Sequence, residues 1–494
     1  MSRMVRFWPG AAITVLTMAA ASGQPADPDA LSRMKTEAFD HSQAQPVFDM
    51  FTITIGPRLT GSPAEKRAVE WARDWLASQG LSDARLEAWP FGRGWELEKL
   101  TLELIEPRYA PLIGYADAWS PSTAGEIVAP PVYIGGKSAD EVTAMRGRLK
   151  GAIVLTQPPV TNFIRQNRPQ PSDPDYTPAP ANPGAGRGAG RGRGTGNAQR
   201  IPQILFEAGA EVILKPSRGE HGTVFVQGRD MPQGALPTVT LSAEHYNMLV
   251  EMAEHNLPVK LRVNVQTKFP NEDAGKSFNV LAELPGSDPA VKDEVVMIGG
   301  HLDCWHSGVG AADNADGATT VMEAMRILKA AAPRPRRTIR VAVWSGEEQG
   351  LYGSKAWVAQ HLAGDANRVE REKFDVYFNV DAGSGPIYGW YLQQQEAVRA
   401  RFDAWLEPLK TSGARRNVIE AIGNSDHVSF NDAGVPGFNA IQDYANYDIR
   451  VHHTNMDTRD RVQINDVRQA ALVTAWFAYQ AAQAPGKFPR AEVK

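Results

Sequence analysis

Near the N-terminus, apolar and polar residues follow one another with helical spacing and then with strand spacing. Over 62–79, a capping box formed by Ser62 and Glu65 precedes an apolar stripe with a period near 3.6, which predicts a helix. Over 100–106, apolar residues alternate strictly with polar ones, which predicts a strand with one solvated face.

From about residue 122 the pattern changes to short apolar runs between glycine and proline turns. These runs lie at 132–134, 152–155, 212–214 and 261–265. They predict a β-rich domain over 122–266. Within it, a Pro/Gly/Arg-rich stretch at about 166–199 is predicted to be a flexible surface loop. The alternative is that its Arg-Gly repeats bind RNA, but the repeats contain few arginines and the protein is acidic, which argues against this alternative.

Beyond residue 279, apolar strands alternate with amphipathic helices. Strands are predicted at 294–298, 338–344 and 375–380, and a helix at 317–331. Such βα alternation indicates parallel strands covered on both faces. We therefore predict an α/β fold with a mixed, mostly parallel sheet flanked by helices.

Composition narrows the class of protein. The 494 residues are 43% hydrophobic and 22% charged, with a net charge of −4, which argues against a general nucleic-acid binder. Cys304 is the only cysteine, so an intrachain disulfide and a cysteine-based zinc site are both excluded.

The first 23 residues have the layout of a secretory signal peptide. Arg3 and Arg6 precede a short apolar run and a small-residue segment, with cleavage after Ala21 or Gly23 both compatible. The apolar run is shorter than the ~20 residues that span a bilayer. We predict export to the periplasm or outside the cell, without a stable membrane anchor.

Residues that can bind metal follow each of the three predicted βα strands. His301 and Asp303 follow the first strand, Glu347 and Glu348 the second, and Asp381 the third. Because ligands bind beyond the carboxyl ends of parallel strands, these side chains are expected to meet at one edge of the sheet.

Further candidates come from outside these strands. They are Asp313, which precedes the helix at 317–331, and the pair His452 and His453 near the C-terminus. Imidazole and carboxylate without thiolate suit zinc, with manganese or cobalt as alternatives. Even five ligands from among these candidates exceed the three protein ligands that one catalytic zinc usually takes, so two ions that share a carboxylate are predicted.

Five segments then carry a specific resemblance. They lie at 56–62, 299–305, 344–350, 433–437 and 452–453. In this order they resemble the di-zinc exopeptidases of peptidase clan MH, of the leucyl aminopeptidase and glutamate carboxypeptidase type, and most of all the plasma glutamate carboxypeptidase branch. The segment 122–266 resembles the protease-associated domain that this group carries inside its catalytic domain. The catalytic domain is accordingly expected over 24–121 and 267–494.

The resemblance implies a role for each matching residue. His301 and Asp381 match the ligands of one zinc ion, Glu348 and His453 those of the other, and Asp313 the carboxylate between them. Asp303 matches the partner that orients the ligating histidine, and Glu347 matches the general base for a water activated by both ions. The implied substrates are dipeptides or short peptides.

Three residues are candidates for binding the substrate: Arg58, Asp426 and His452. Three residues depart from the family pattern: Asn314, which follows Asp313, Cys304 and His306. Two of these departures carry an expectation: Cys304 is expected to be a small buried filler, and His306 is expected to lie in a surface loop.

Two other functions remain open from the sequence. A glutaminyl cyclase has a similar fold with a single zinc, and a receptor-like protein of this fold has no catalysis. Retention of His301 and Asp381 argues against the cyclase, and retention of all five ligands and the base argues against the receptor-like protein. A short peptide is the expected partner, and nucleic acid is not; a homodimer is left open.

Overall fold

A computed structural model of the chain describes residues 28–171, 196–232 and 234–490. The predicted signal peptide and most of the predicted Pro/Gly/Arg-rich loop lie outside the described residues. Among the described residues, no helix has the length and hydropathy needed to cross a bilayer.

The helices are numbered in chain order. They are α1 (Pro28–Phe39), α2 (Ala44–Asp49), α3 (Pro63–Ser78), α4 (Ala139–Ala144), α5 (Arg146–Leu149), α6 (Gly196–Glu207), α7 (Ala243–Glu254), α8 (Asp316–Ala331), α9 (Tyr352–His361), α10 (Arg368–Lys373), α11 (Arg399–Leu406), α12 (His427–Asp432) and α13 (Ile464–Gln483).

The strands follow the same convention. They are β1 (Ser82–Pro90), β2 (Glu96–Glu106), β3 (Ala110–Pro111), β4 (Gly114–Ala116), β5 (Ile127–Ala129), β6 (Pro131–Tyr133), β7 (Ile153–Leu155), β8 (Val212–Pro216), β9 (Thr238–Leu241), β10 (Lys260–Lys268), β11 (Lys276–Leu284), β12 (Val295–His301), β13 (Thr338–Trp344), β14 (Phe374–Asn379), β15 (Ile387–Tyr391) and β16 (Gly437–Gln442).

A seven-stranded sheet forms the centre of the fold, in the order β1-β11-β13-β12-β14-β16-β15. The strands β13, β12, β14 and β16 run parallel, whereas the pairs β1/β11, β11/β13 and β15/β16 are antiparallel. The α/β class with a mixed sheet is confirmed, and the parallel pairing is concentrated in the middle strands.

Alternate residues of the central strands fill two separate cores. Val296 and Ile298 of β12 point to the face covered by α8 and α13, while Val295 and Met297 point to the face covered by α9 and α12. Because both faces are covered, these strands are apolar over most of their length, which is why their pattern predicted buried strands. Because β12 pairs in parallel with both β13 and β14, the carboxyl ends of these three strands meet at one edge of the sheet.

Two smaller sheets, in the orders β3-β2-β10-β5 and β4-β9-β8-β7-β6, lie between β1 and β11 in the chain. Strand β2 pairs antiparallel with β10, so the strand predicted at 100–106 joins the β-rich part of the chain. Pro90 at the end of β1 pairs with Lys276 at the start of β11. We propose that an inserted β-rich domain begins after β1 and not at residue 122, because its departure and return points are neighbours.

Helix α3 shows how tertiary contacts modify a local signal. The Ser62 hydroxyl accepts a hydrogen bond from Glu65 N at 3.2 Å, as predicted for the N-cap. The Glu65 carboxylate does not return to Ser62 N: it accepts from Gly61 N at 2.8 Å and from the hydroxyls of Ser277 and Ser345. Glu65 thus links the start of α3 to the end of β13.

Candidate metal centre

Three neighbouring parallel strands deliver the first group of candidate ligands. His301 is the last residue of β12, Glu347 follows β13, and Asp381 follows β14. His301 Nε2 lies 3.6 Å from Asp381 Oδ1 and 3.9 Å from Glu347 Oε2. One ligand atom from each of the three residues lies within 4.8 Å of the others, which is close enough for a single metal ion.

A second group meets the first at Asp313, in the loop that precedes α8. Its Oδ1 lies 3.4 Å from His301 Nε2, and its Oδ2 lies 3.3 Å from His453 Nε2. His453 Nε2 also lies 2.7 Å from Glu348 Oε2. The two oxygens of Asp313 thus face different histidines, which is the geometry required of a carboxylate shared by two ions.

The buried atoms of this centre lack ordinary partners. Among the described residues, His301 Nε2, Asp313 Oδ2 and Glu348 Oε1 are buried and make no hydrogen bond. The ion pairs of these three residues within the described ranges are formed with histidines or carboxylates, and none involves a lysine or arginine. Since buried charge is costly unless it is paired or binds a metal, the residues fit divalent cations.

Burial and neighbouring carboxylates raise the pKa of two glutamates in this centre. Burial raises the pKa of Glu347 well above its usual value, with Asp381 and Asp426 contributing in the same direction and His301 opposing. Burial also raises the pKa of Glu348, and Asp313 contributes most among the neighbouring carboxylates. A bound cation would favour the ionised form of both groups.

Asp303 contacts the candidate metal ligands and is fully buried. Its carboxylate accepts hydrogen bonds from Glu347 N at 3.2 Å, from Glu348 N at 3.3 Å and from Thr60 Oγ1 at 2.9 Å. The His301 ring is oriented by the backbone carbonyl of Asp303, which accepts from Nδ1–H at 3.0 Å. With its proton on Nδ1, His301 keeps Nε2 free to bind metal.

Two supporting carboxylate contacts were not assigned from the sequence. Asp457 accepts from Ala312 N at 2.8 Å and from Asp313 N at 3.1 Å, and so holds Asp313 in place. Burial raises the pKa of Asp457 to about 8. Ser425 donates to Asp381 Oδ2. The spacing of Asp457 to His453 was a usable signal, whereas no motif marks Ser425.

The contact predicted between Arg58 and substrate does not fit the structure. The Arg58 side chain is fully buried, and its guanidinium donates five hydrogen bonds to backbone carbonyls. The acceptors are Leu302 at 2.8 Å, Phe51 at 3.1 Å, Gly56 at 2.9 Å, Val309 at 2.8 Å and Gly310 at 2.9 Å. Arg58 therefore holds together the loop between His301 and Asp313.

Asp426 does not fit a substrate contact either. It is 1% exposed, and neither carboxylate oxygen has a hydrogen-bond partner among the described residues. Burial raises its pKa to about 7. His452, in contrast, keeps 37% of its side chain exposed and stacks between Tyr447 and His453, with Nε2 4.0 Å from Asp313 Oδ2. It remains a candidate for contact with substrate.

Of the two departures from the family pattern that carry an expectation, one was placed wrongly. His306 is not on the surface: its Nε2 donates to the Ala116 carbonyl at 2.8 Å, its ring packs against Trp95, and burial lowers its pKa to about 4. Cys304 is buried as predicted, and burial raises the pKa of its thiol to about 12, which disfavours the thiolate.

The sheet and the donor set at its edge are those of a metallopeptidase. Residues 279–478 match the model of Peptidase family M28. Human carboxypeptidase Q is 27% identical over 446 residues, which cover 88% of this chain and 84% of that protein. Leupeptin-inactivating enzyme 1 from Streptomyces exfoliatus is 32% identical over 161 residues, 32% of this chain and 34% of the relative.

Solved structures share the fold. A peptidase M28 precursor from Shewanella amazonensis SB2B has a TM-score of 0.69 at 25% identity, covering 93% of this chain and 97% of that one. A zinc aminopeptidase from Bacillus subtilis has a TM-score of 0.57 at 20% identity, covering 88% and 93%.

Proposed function

We propose that the chain is a zinc-dependent exopeptidase that hydrolyses dipeptides or short peptides with two zinc ions. The observation that carries this proposal is Asp313, whose two oxygens face two different histidines, His301 and His453. His301 and Asp381 would hold one ion, and Glu348 and His453 the other. Similarity to carboxypeptidase Q and to a zinc aminopeptidase supports the exopeptidase class and the metal.

Bound zinc ions would make water acidic enough to yield hydroxide near neutral pH and would polarise the peptide carbonyl. Glu347 lies beside the proposed ligands and is held through its backbone N by Asp303. Its carboxylate would accept the proton of the attacking water and then deliver it to the nitrogen of the leaving amine. The Glu347 side chain is 10% exposed, which limits competition by bulk water for that proton.

The half-exposed ring of His452 would line the substrate path beside the ligands. Export is part of the proposal and rests on residues 1–23 alone. The mass of the mature N-terminus, measured on protein recovered from outside the cytoplasm, would test it.

The test of the proposed function joins metal content to activity. The protein would be assayed with a dipeptide library as isolated, after chelation and after zinc is restored, and its zinc content would be measured. We expect hydrolysis that disappears with chelation, returns with zinc, and accompanies two zinc ions per chain. One ion per chain would favour the glutaminyl cyclase alternative, and no hydrolysis of any peptide would contradict the proposal.

The Glu347→Gln variant tests whether Glu347 acts as the general base and not as a metal ligand. We expect it to keep both zinc ions and to lose roughly 10²–10⁴-fold in kcat, because general-base assistance contributes about that much. Glu407→Gln is the matched control, since the Glu407 side chain is 67% exposed. Near-normal turnover of Glu347→Gln would show that the assigned role is wrong.

A further inference from the structure

The β-rich part of the chain forms a backbone contact with the loop that carries His453. Val226 N donates to the His453 carbonyl at 3.1 Å, and Asn455 N donates to the Val224 carbonyl at 3.2 Å. Phe225 and Thr454 form an antiparallel bridge between them. This short pairing joins the segment between β8 and β9 to a candidate metal ligand of the large sheet.

The contact extends to the His453 ring through Gln227. The side-chain nitrogen Nε2 of Gln227 lies 2.7 Å from His453 Nδ1, while His453 Nε2, on the other side of the ring, faces Glu348 and Asp313. Trp305 lies edge-on to the same ring with centroids 6.1 Å apart. Both ring nitrogens of His453 thus contact other side chains, and the contact at Nδ1 comes from the β-rich part of the chain.

The protonation of the ring decides what Gln227 must do. A histidine that binds metal through Nε2 carries its proton on Nδ1 and needs an acceptor there. For His301 that acceptor is the Asp303 carbonyl. A half-turn of the Gln227 amide about Cγ–Cδ places its oxygen at the position that faces His453 Nδ1, because the two ends of the amide are equal in size.

We propose that Gln227 is a positioning residue that accepts the Nδ1–H of His453 and thereby fixes the tautomer and orientation of this ligand. The β-rich part of the chain would then complete the second metal position. The inference rests on the proposed role of His453 as a zinc ligand.

The interface does not depend on Gln227, so its substitution is expected to leave the fold intact. Gln227 is exposed. Arg450 Nη1 independently donates to the Glu220 carbonyl at 2.8 Å and to Thr223 Oγ1 at 2.9 Å. Asn455 Oδ1 also accepts from Val224 N at 2.7 Å.

The test uses zinc affinity, measured on the full chain by competition with a chromogenic chelator. In Gln227→Met the acceptor is lost, and we expect one of the two zinc ions to bind about 10–100-fold more weakly. In Gln227→Glu an acceptor is kept, and we expect affinity at or above that of the wild type. Gln203→Met, which removes an exposed glutamine of α6, is the control and is expected to leave both affinities unchanged.

Two results would overturn the inference. Unchanged affinity in Gln227→Met would show that the contact does not support the ligand. An equal loss in Gln227→Glu and Gln227→Met would show that the amide does not act as an acceptor. A wild-type chain that binds no zinc would instead overturn the proposed function, so the two failures are distinguishable.

Discussion

Replacing Arg58 with methionine would remove the buried cation that holds the loop between His301 and Asp313. The guanidinium donates five hydrogen bonds to backbone carbonyls. At a net value of about 1 kcal/mol for each bond, their loss would cost about 5 kcal/mol. Relief of the desolvation cost of the buried charge offsets part of this, so we expect a loss of roughly 3–5 kcal/mol in unfolding free energy.

Urea unfolding followed by tryptophan fluorescence would measure this change, with zinc present and after chelation. Because the loop joins two candidate ligands, zinc binding is expected to weaken in the same variant. Arg67→Met on α3 is the matched control: Arg67 is exposed, so a change of at most about 0.5 kcal/mol is expected. If Arg58→Met unfolded within about 0.5 kcal/mol of the wild type, the role assigned to these hydrogen bonds would be refuted.

Three further substitutions test the surroundings of the centre. Glu65→Gln is expected to gain stability relative to the wild type as pH rises from 5 to 8, by up to about 3 kcal/mol in urea unfolding. Burial raises the pKa of Glu65 from its usual value of 4.5 to about 7. Between these two values the carboxyl is ionised in the unfolded wild type but still protonated in the native one, so the wild type loses stability as pH rises. Gly310→Ala is expected to lower unfolding free energy by about 2 kcal/mol or more, because Gly310 has φ +56° and a Cβ would lie 2.3 Å from that of Cys304. Asp303→Asn is expected to weaken zinc binding about 10–100-fold in chelator competition, because an amide N–H would face the backbone N–H of Glu347 or Glu348.

Each of these has an outcome that contradicts it. For Glu65→Gln it is a stability difference that does not change with pH. For Gly310→Ala it is a loss no greater than in Gly147→Ala, where an added Cβ has no neighbour within 4 Å. For Asp303→Asn it is zinc affinity equal to that of the wild type.

The elements that the sequence predicted best are those whose pattern is repeated along a whole buried strand. Strand β13 was predicted at its observed bounds, and β12 and β14 within three residues at each end, because both of their faces are covered and most of their positions are apolar. The predicted ligands met at one edge because three neighbouring parallel strands end there.

What could not be predicted depends on partners that are distant in the chain. The residue types of Arg58 and His306 favour exposure on average, but their hydrogen-bond acceptors lie up to 252 and 190 residues away. Glu65 carried a correct local signal for the start of a helix, yet its carboxylate is engaged by Ser277 and Ser345. Gln227 follows no motif, and it reaches His453 only because two parts of the chain pack together.

The pairing of Pro90 with Lys276 gives the β-rich part of the chain the character of an exchangeable module. Since its two connections emerge side by side from the edge strand β1 and its neighbour β11, recombination could replace everything between them without altering the register of the large sheet. If Gln227 accepts the Nδ1–H of His453 as proposed, such a graft must meet one chemical condition. Any replacement must present a hydrogen-bond acceptor to the His453 ring, so a graft that folds well could still yield an enzyme with a defective second metal position.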